Sequence, residues 1–306
     1  MDKQSHQILT PDGTKISVLV YVPKTTPKAI LHIFHGMGEH KNRYQPFMEF
    51  IANQGYIVLA HDHRKHGESI PKKDMQGIFL RGDTWDKVLH DASLVAQEMK
   101  HTYKHLPYIL LGHSMGSVIL RRFLVDYKDI VDKAIIMGTL PPYSKAMGLI
   151  PITLARLVDF FKRDGTRSPF LANLVASPLQ KNYKNPRTEF DWLSHDENIV
   201  DAYIKDPLCG YPYTPKFYQE FFKGILGLTD KNFLQKGKDI PILFISGEED
   251  PVGNNGEGVK KVQKAYQEAS YTKTTLLLIN NARHEVLNEL NKEATYHKIL
   301  DWIEAN

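Results

Sequence analysis

Short apolar runs alternating with segments of helical periodicity constrain this chain most. "AILHIFHG" (Ala29–Gly36), "GYIVLAHD" (Gly55–Asp62), "YILLGHS" (Tyr108–Ser114) and "AIIMGT" (Ala134–Thr139) are nearly continuous in apolar residues. Strands buried on both faces read this way, whereas a half-exposed strand would alternate polar and apolar positions. "KISVLVYVP" (Lys15–Pro23) precedes them as a strand, and "IPILFISGEED" (Ile240–Asp250) and "TTLLLIN" (Thr274–Asn280) resume the pattern late in the chain. Between the runs, helices are expected around Tyr44–Gln54, Thr84–Tyr103 and "SVILRRFLVDY", with a last one over about Leu287–Ile303. This β-α rhythm implies an α/β fold, a mostly parallel sheet covered by helices on both faces.

The rhythm stops at Pro141–Pro142 and returns near Lys238. The expected organisation is a core of residues 1–140 and 239–306 interrupted by an inserted cap or lid over 141–238. At 306 residues, 42% hydrophobic and 24% charged, the chain can bury a large core. A net charge of +4 is too small for its size to argue for nucleic-acid binding. The single cysteine, Cys209, permits no internal disulfide, and no histidine or nucleophile turn lies nearby in the sequence. The N-terminus lacks the pattern of a secretion signal, and no apolar run approaches the roughly 18 residues of a membrane span. A cytoplasmic protein is expected.

The chemistry centres on "LLGHSMGS" (Leu110–Ser117), where Gly112-His113-Ser114-Met115-Gly116 form G-x-S-x-G between a buried strand and a helix. A strand-to-helix turn this sharp lifts the Ser114 hydroxyl above the sheet edge. A serine nucleophile needs a base within reach, and the base needs an acid to hold its tautomer. In that arrangement the chain order is serine, acid, histidine. Asp250 ends the late strand of "ILFISGEEDPVG" and is the expected acid, with Glu248 and Glu249 as alternatives. His284 follows the last strand in "LLLINNARHEVLNE" and is the expected base. The backbone N–H of Met115, and that of Met37 in "FHGMGEH", are the expected oxyanion donors.

Together, "HGMGEHKNRY", "HDHRKHGES", "GHSMGS", "SGEEDPVG" and "ARHEVLNE" resemble the α/β-hydrolase superfamily. More narrowly, they resemble its serine-aminopeptidase-like subgroup, which includes monoacylglycerol lipases and bacterial lysophospholipases. "RTEFDWLSHDENIVDAYIKDPLCG" (Arg187–Gly210) resembles the cap of bacterial members. The resemblance implies an eight-stranded sheet with a helical cap, the triad Ser114, Asp250 and His284, and donors at Met37 and Met115. It implies hydrolysis of a medium- or long-chain acyl ester, with a small-molecule substrate. No cofactor and no metal are expected. It also sets Glu39 and Arg43 near the polar end of a substrate channel, although Asn288 stands where monoacylglycerol lipases often carry histidine. A thioesterase, acyltransferase or aminopeptidase would use the same triad, and a non-catalytic binding protein would share the fold.

Two segments carry competing readings. "MGLIPITLARLVDFFKR" (Met147–Arg163) is an apolar helix, expected either to pack on the core or to leave a face for an acyl channel or for transient membrane-surface contact. "AHDHRKHGES" (Ala60–Ser69) nearly fits a zinc-hydrolase arrangement through His61, His63 and His66. Lys65 stands where that pattern needs aspartate, and it would repel a cation. Lys65 also stands where the resemblance has glycine, so a positive φ there would be strained.

Overall fold

A computed structural model describes residues 1–306 except Lys181, Asn182 and Lys184. Its strands are β1 (Asp2–Leu9), β2 (Lys15–Val22), β3 (Ile30–Phe34), β4 (Ile57–His61), β5 (Tyr108–His113), β6 (Lys133–Met137), β7 (Ile242–Gly247) and β8 (Thr274–Ile279). They form one sheet in the order β1-β2-β4-β3-β5-β6-β7-β8. The pairs from β4 through β8 are parallel, and β2 runs antiparallel to both β1 and β4.

The described helices are α1 (Gln45–Asn53), α2 (Trp85–Thr102), α3 (Met115–Asp126), α4 (Lys145–Phe160) and α5 (Pro169–Gln180). They continue as α6 (Glu197–Lys205), α7 (Pro215–Ile225), α8 (Lys231–Leu234), α9 (Glu257–Glu268) and α10 (Lys292–Ala305). Successive strand residues point to opposite faces, which divides the core in two. Ile30, Phe34, Tyr108 and Leu110 pack with α2, α3 and α9, while Leu31, Ile33, Ile109 and Leu111 pack with α1 and α10. Burial on both sides explains why these strands are nearly continuous in apolar residues.

α4 to α8 lie between β6 and β7, which are neighbours in the sheet, so this segment leaves and re-enters at one edge-to-edge pairing. The last helix starts at Lys292, five residues later than its apolar pattern suggests. Residues before it form turns, in which Asn288 N–H donates to the Glu285 carbonyl and Tyr296 Oη donates to that of Leu287. No helix among the described residues is long and apolar enough to cross a membrane.

Candidate active site

Ser114 sits at the junction of β5 and α3 with φ 53° and ψ −117°, a backbone that a residue with a side chain adopts at a cost. Its N–H donates to the Met137 carbonyl at 3.0 Å, which fixes the turn to β6. The turn is tight because glycines flank it. A Cβ on Gly112 would overlap the Gly116 carbonyl, and one on Gly116 would overlap that of Phe34. The serine is half-buried, at the sheet's carboxyl edge.

His284 and Asp250 meet at the same edge, after β8 and β7 respectively. Nδ1 of His284 lies 2.9 Å from Oδ1 of Asp250. The Ser246 hydroxyl donates to Asp250 Oδ2 at 2.8 Å, and the Val252 N–H donates to Oδ1 at 2.9 Å. Burial pushes the Asp250 carboxyl up, but the charge of His284 and these hydrogen bonds outweigh it and hold the group below the usual carboxylate value. Glu248 and Glu249 are exposed, and Glu249 pairs with His195 at 3.2 Å instead. An ionised Asp250 requires the proton on Nδ1 of His284, leaving Nε2 available as a base. No hydrogen bond joins Ser114 to His284 among the described residues.

Met37 and Met115 belong to the two segments that meet at the serine. Met115 is the first residue of α3, and a Cβ on Gly36, next to Met37, would lie 3.2 Å from Ser114 Cβ. Neither backbone N–H has a hydrogen-bond acceptor among the described residues.

Glu39 and Arg43 are engaged with each other and with neighbouring protein groups. Glu39 is buried and accepts from Gly36 N–H at 2.6 Å, Tyr44 Oη at 2.8 Å and Arg43 Nη1 at 2.8 Å. Arg43 also grips Glu285 through both Nη atoms at 2.6 and 2.7 Å, under the ring of Tyr203. These bonds make the pair a brace between the segment after β3 and the loop after β8. Sequence reasoning missed Glu285, Tyr44 and His113 as members of this brace. Glu285 directly follows His284, and that adjacency was the available signal. Asn288, in place of histidine, donates to Glu285 Oε2 at 2.9 Å.

The three histidines of Ala60–Ser69 also brace. His61 Nδ1 meets His32 Nε2 at 2.8 Å. His63 Nε2 donates to the His35 carbonyl at 3.1 Å, and His66 Nε2 meets Tyr213 Oη at 2.8 Å. Burial pushes His32 down to about 3 and His66 down to about 4, and it holds His35, His61 and His63 well below the ordinary value. The folded protein thus keeps these rings neutral, while the unfolded chain takes up protons from about pH 6.5 downward. Stability present above that pH is lost as pH falls from about 6.5 towards 4. Urea midpoints measured across this window are expected to drop steeply, and a flat profile would contradict the burial argument.

Lys65 has φ 65°, the left-handed conformation that glycine adopts freely. The turn is pinned on both sides: its carbonyl accepts from Gly77 N–H at 2.8 Å, and Arg64 forks onto Asp91 at 2.6 and 2.8 Å. Lys65→Gly is expected to stabilise the fold by about 0.5–1 kcal/mol in urea unfolding, relief of strain exceeding the glycine's added chain entropy.

Among the described residues, one group brings three metal-ligand atoms within 4.8 Å of one another: His40, Asp206 and Cys209. The arrangement does not favour a metal. His40 Nε2 is already hydrogen-bonded to Asp206 Oδ2 at 2.9 Å, and burial pushes the Cys209 thiol up, away from the thiolate.

A serine on a strained strand-to-helix turn, with a histidine–aspartate pair after the last two strands of this sheet, defines an α/β-hydrolase. The chain belongs to the family described as serine aminopeptidase, S33, which it matches over residues 25–291. It is 30% identical to a monoglyceride lipase homolog of Monkeypox virus over 197 residues, 64% of this chain and 68% of the relative. It is 26% identical over 306 residues to an uncharacterised abhydrolase domain-containing protein of Dictyostelium discoideum. That match takes in 99% of this chain but only 29% of the relative's length. Among solved structures, a thermostable carboxyl esterase from Bacillus coagulans, in complex with glycerol, superposes with TM-score 0.89 at 24% identity. That superposition covers 100% of this chain and 99% of the esterase.

Proposed function

We propose that this protein is a serine hydrolase of carboxylic esters, acting on monoacylglycerols or lysophospholipids through an acyl-enzyme. The observation that carries the reading is the 2.9 Å hydrogen bond from His284 to Asp250 beside the strained Ser114 turn. His284 Nε2 takes the Ser114 proton as Oγ attacks the ester carbonyl. Asp250 holds the imidazole and balances its charge. The N–H groups of Met37 and Met115 receive the oxyanion. Collapse of the tetrahedral intermediate expels the alcohol, which takes its proton from His284. Water, deprotonated by His284, then releases the acid and restores Ser114.

Residues 141–238 act as the cap over this site. Its segments touch the machinery: the Trp192 carbonyl accepts from His284 N–H, and Tyr203 Oη donates to the Gly38 carbonyl at 2.9 Å. Monoacylglycerols and lysophospholipids partition into lipid phases, and α4 suits contact with one. Ile152 and Ala155 pack inward, whereas Ile150, Phe160 and Phe161 are 71, 81 and 77% exposed. Arg156 and Arg163, both exposed, set positive charge beside them, which favours an anionic lipid surface. Co-sedimentation with anionic liposomes is expected for the wild type and reduced severalfold for Ile150→Ser/Phe160→Ser. Equal partitioning would remove the lipid contact.

An activity panel tests the reaction itself. Monoacylglycerols and lysophospholipids are expected to be turned over faster than short p-nitrophenyl esters, thioesters or aminoacyl amides. Turnover confined to aminoacyl amides would replace the esterase reading with the peptidase one that the family description carries.

A further inference from the structure

His113, the residue before Ser114, is buried among charges. Its Nδ1 lies 2.9 Å from Tyr44 Oη and 3.2 Å from Glu39 Oε1, and its Nε2 lies 3.3 Å from the His284 carbonyl oxygen. Tyr44 has one hydroxyl proton, and it is given to Glu39 Oε1 at 2.8 Å. Toward Nδ1 the hydroxyl therefore only accepts, so Nδ1 carries a proton. A carbonyl oxygen has no proton to give, so Nε2 carries one as well. An imidazole that donates from both nitrogens is an imidazolium.

The charges around it agree. Glu39 and Glu285 are two buried carboxylates facing one cation, Arg43. A charged His113 brings this buried group to neutrality, which an isolated excess charge in the interior would not tolerate. Burial alone pushes the His113 imidazole down. The hydrogen bond and charge of Glu39, with the charges of Glu285 and Asp250, outweigh it and push it above the ordinary histidine value. The ring also lies against that of His284, with centroids 4.6 Å apart.

We propose that His113 is a positioning residue, held as a doubly protonated imidazolium, that clamps the backbone of His284 to the turn carrying Ser114. One nitrogen is anchored on Glu39 and Tyr44, from the segment after β3. The other holds the loop after β8, so two loops that meet only in the folded chain share one cation. The functional part of this inference rests on His284 being the general base. The charge state does not.

The test uses the whole protein with ring-15N histidine at about pH 7.5, a unit above the ordinary histidine value. Two-bond proton–nitrogen spectra report which ring nitrogens carry protons. The His113 signal is the one lost in His113→Asn or His113→Gln. Sequential backbone assignment of the wild type identifies it should both variants fail to fold. Both His113 nitrogens are expected to be protonated. A ring with a single protonated nitrogen overturns the proposal.

Kinetics test the clamp. Asparagine places its amide near Nδ1 and does not reach His284, whereas glutamine reaches toward the position of Nε2. His113→Asn is expected to lose on the order of a hundredfold in kcat with KM little changed, as misplaced catalytic groups do. His113→Gln is expected to recover at least about tenfold of that loss. Equal kcat in the two folded variants overturns the clamp. Failure of the esterase reading would show separately, as a wild-type Ser114 that a fluorophosphonate probe does not label.

Discussion

Ser114→Ala is expected to lower kcat for a p-nitrophenyl acyl ester by roughly ten-thousandfold to a millionfold and to abolish labelling by a fluorophosphonate. The size follows from what the residue would do. Without Oγ no acyl-enzyme forms, and the remaining acceleration comes from substrate binding and the oxyanion donors alone. Asp250→Asn is expected to cost about ten-thousandfold, because a neutral amide does not hold the Nδ1 proton of His284 in place. The two losses should not multiply. Ser114, His284 and Asp250 act as one unit, so the double variant is expected to be little slower than Ser114→Ala. Near-wild-type turnover by purified Ser114→Ala would sink the assignment, and fully multiplicative losses would place Asp250 outside the unit.

Arg43→Met is expected to destabilise the fold by about 3–5 kcal/mol in urea unfolding. Arg43 lies between two carboxylates that water scarcely reaches, gripping Glu285 at 2.6 and 2.7 Å and Glu39 at 2.8 Å. Burial pushes its guanidinium down, but the charges of Glu285 and Glu39 outweigh it and hold the group well above its usual value. Removing the cation takes the ion-pair partner from Glu285 and leaves Glu39 with His113 alone, a net negative charge in the interior that costs more than the pairing itself contributes. Arg122→Met gives the contrast. Arg122 pairs with Asp126 at 2.6 Å on an exposed helix face, where such pairs contribute about 0–0.5 kcal/mol. Equal losses in the two variants would show that the Arg43 brace is no stronger than a surface pair.

β3, β5, β6 and β7 were legible because they are buried on both faces and therefore nearly continuous in apolar residues. β8, only partly buried at the sheet's edge, was legible from its run of three leucines and an isoleucine. β1 was not. "DKQSHQIL" has no apolar run, and it becomes a strand only because the edge of β2 offers hydrogen-bond partners. α9 was passed over for a related reason: it buries a narrow stripe, Val259, Val262 and Tyr266, within a mostly polar segment. The α4 segment admitted two readings because it is apolar nearly all round. Packing against α7 buries one face and leaves Ile150 and Phe160 outside.

From sequence alone came the spacing that a strained turn demands: a serine between glycines, an acid after one late strand and a histidine after the next. Those are local requirements, written where the chain needs them. Which carboxylate meets the histidine was settled only by the fold, which turns Asp250 inward and leaves Glu248 and Glu249 in water. The same holds for the charges beneath the site. Glu39, Arg43, His113 and Glu285 come from three distant stretches, and their ionisation depends on how closely packing brings them together and how much water it removes. The histidines of Ala60–Ser69 follow that rule too. Their number suggested a metal, but their partners, His32, His35 and Tyr213, arrive from elsewhere in the chain.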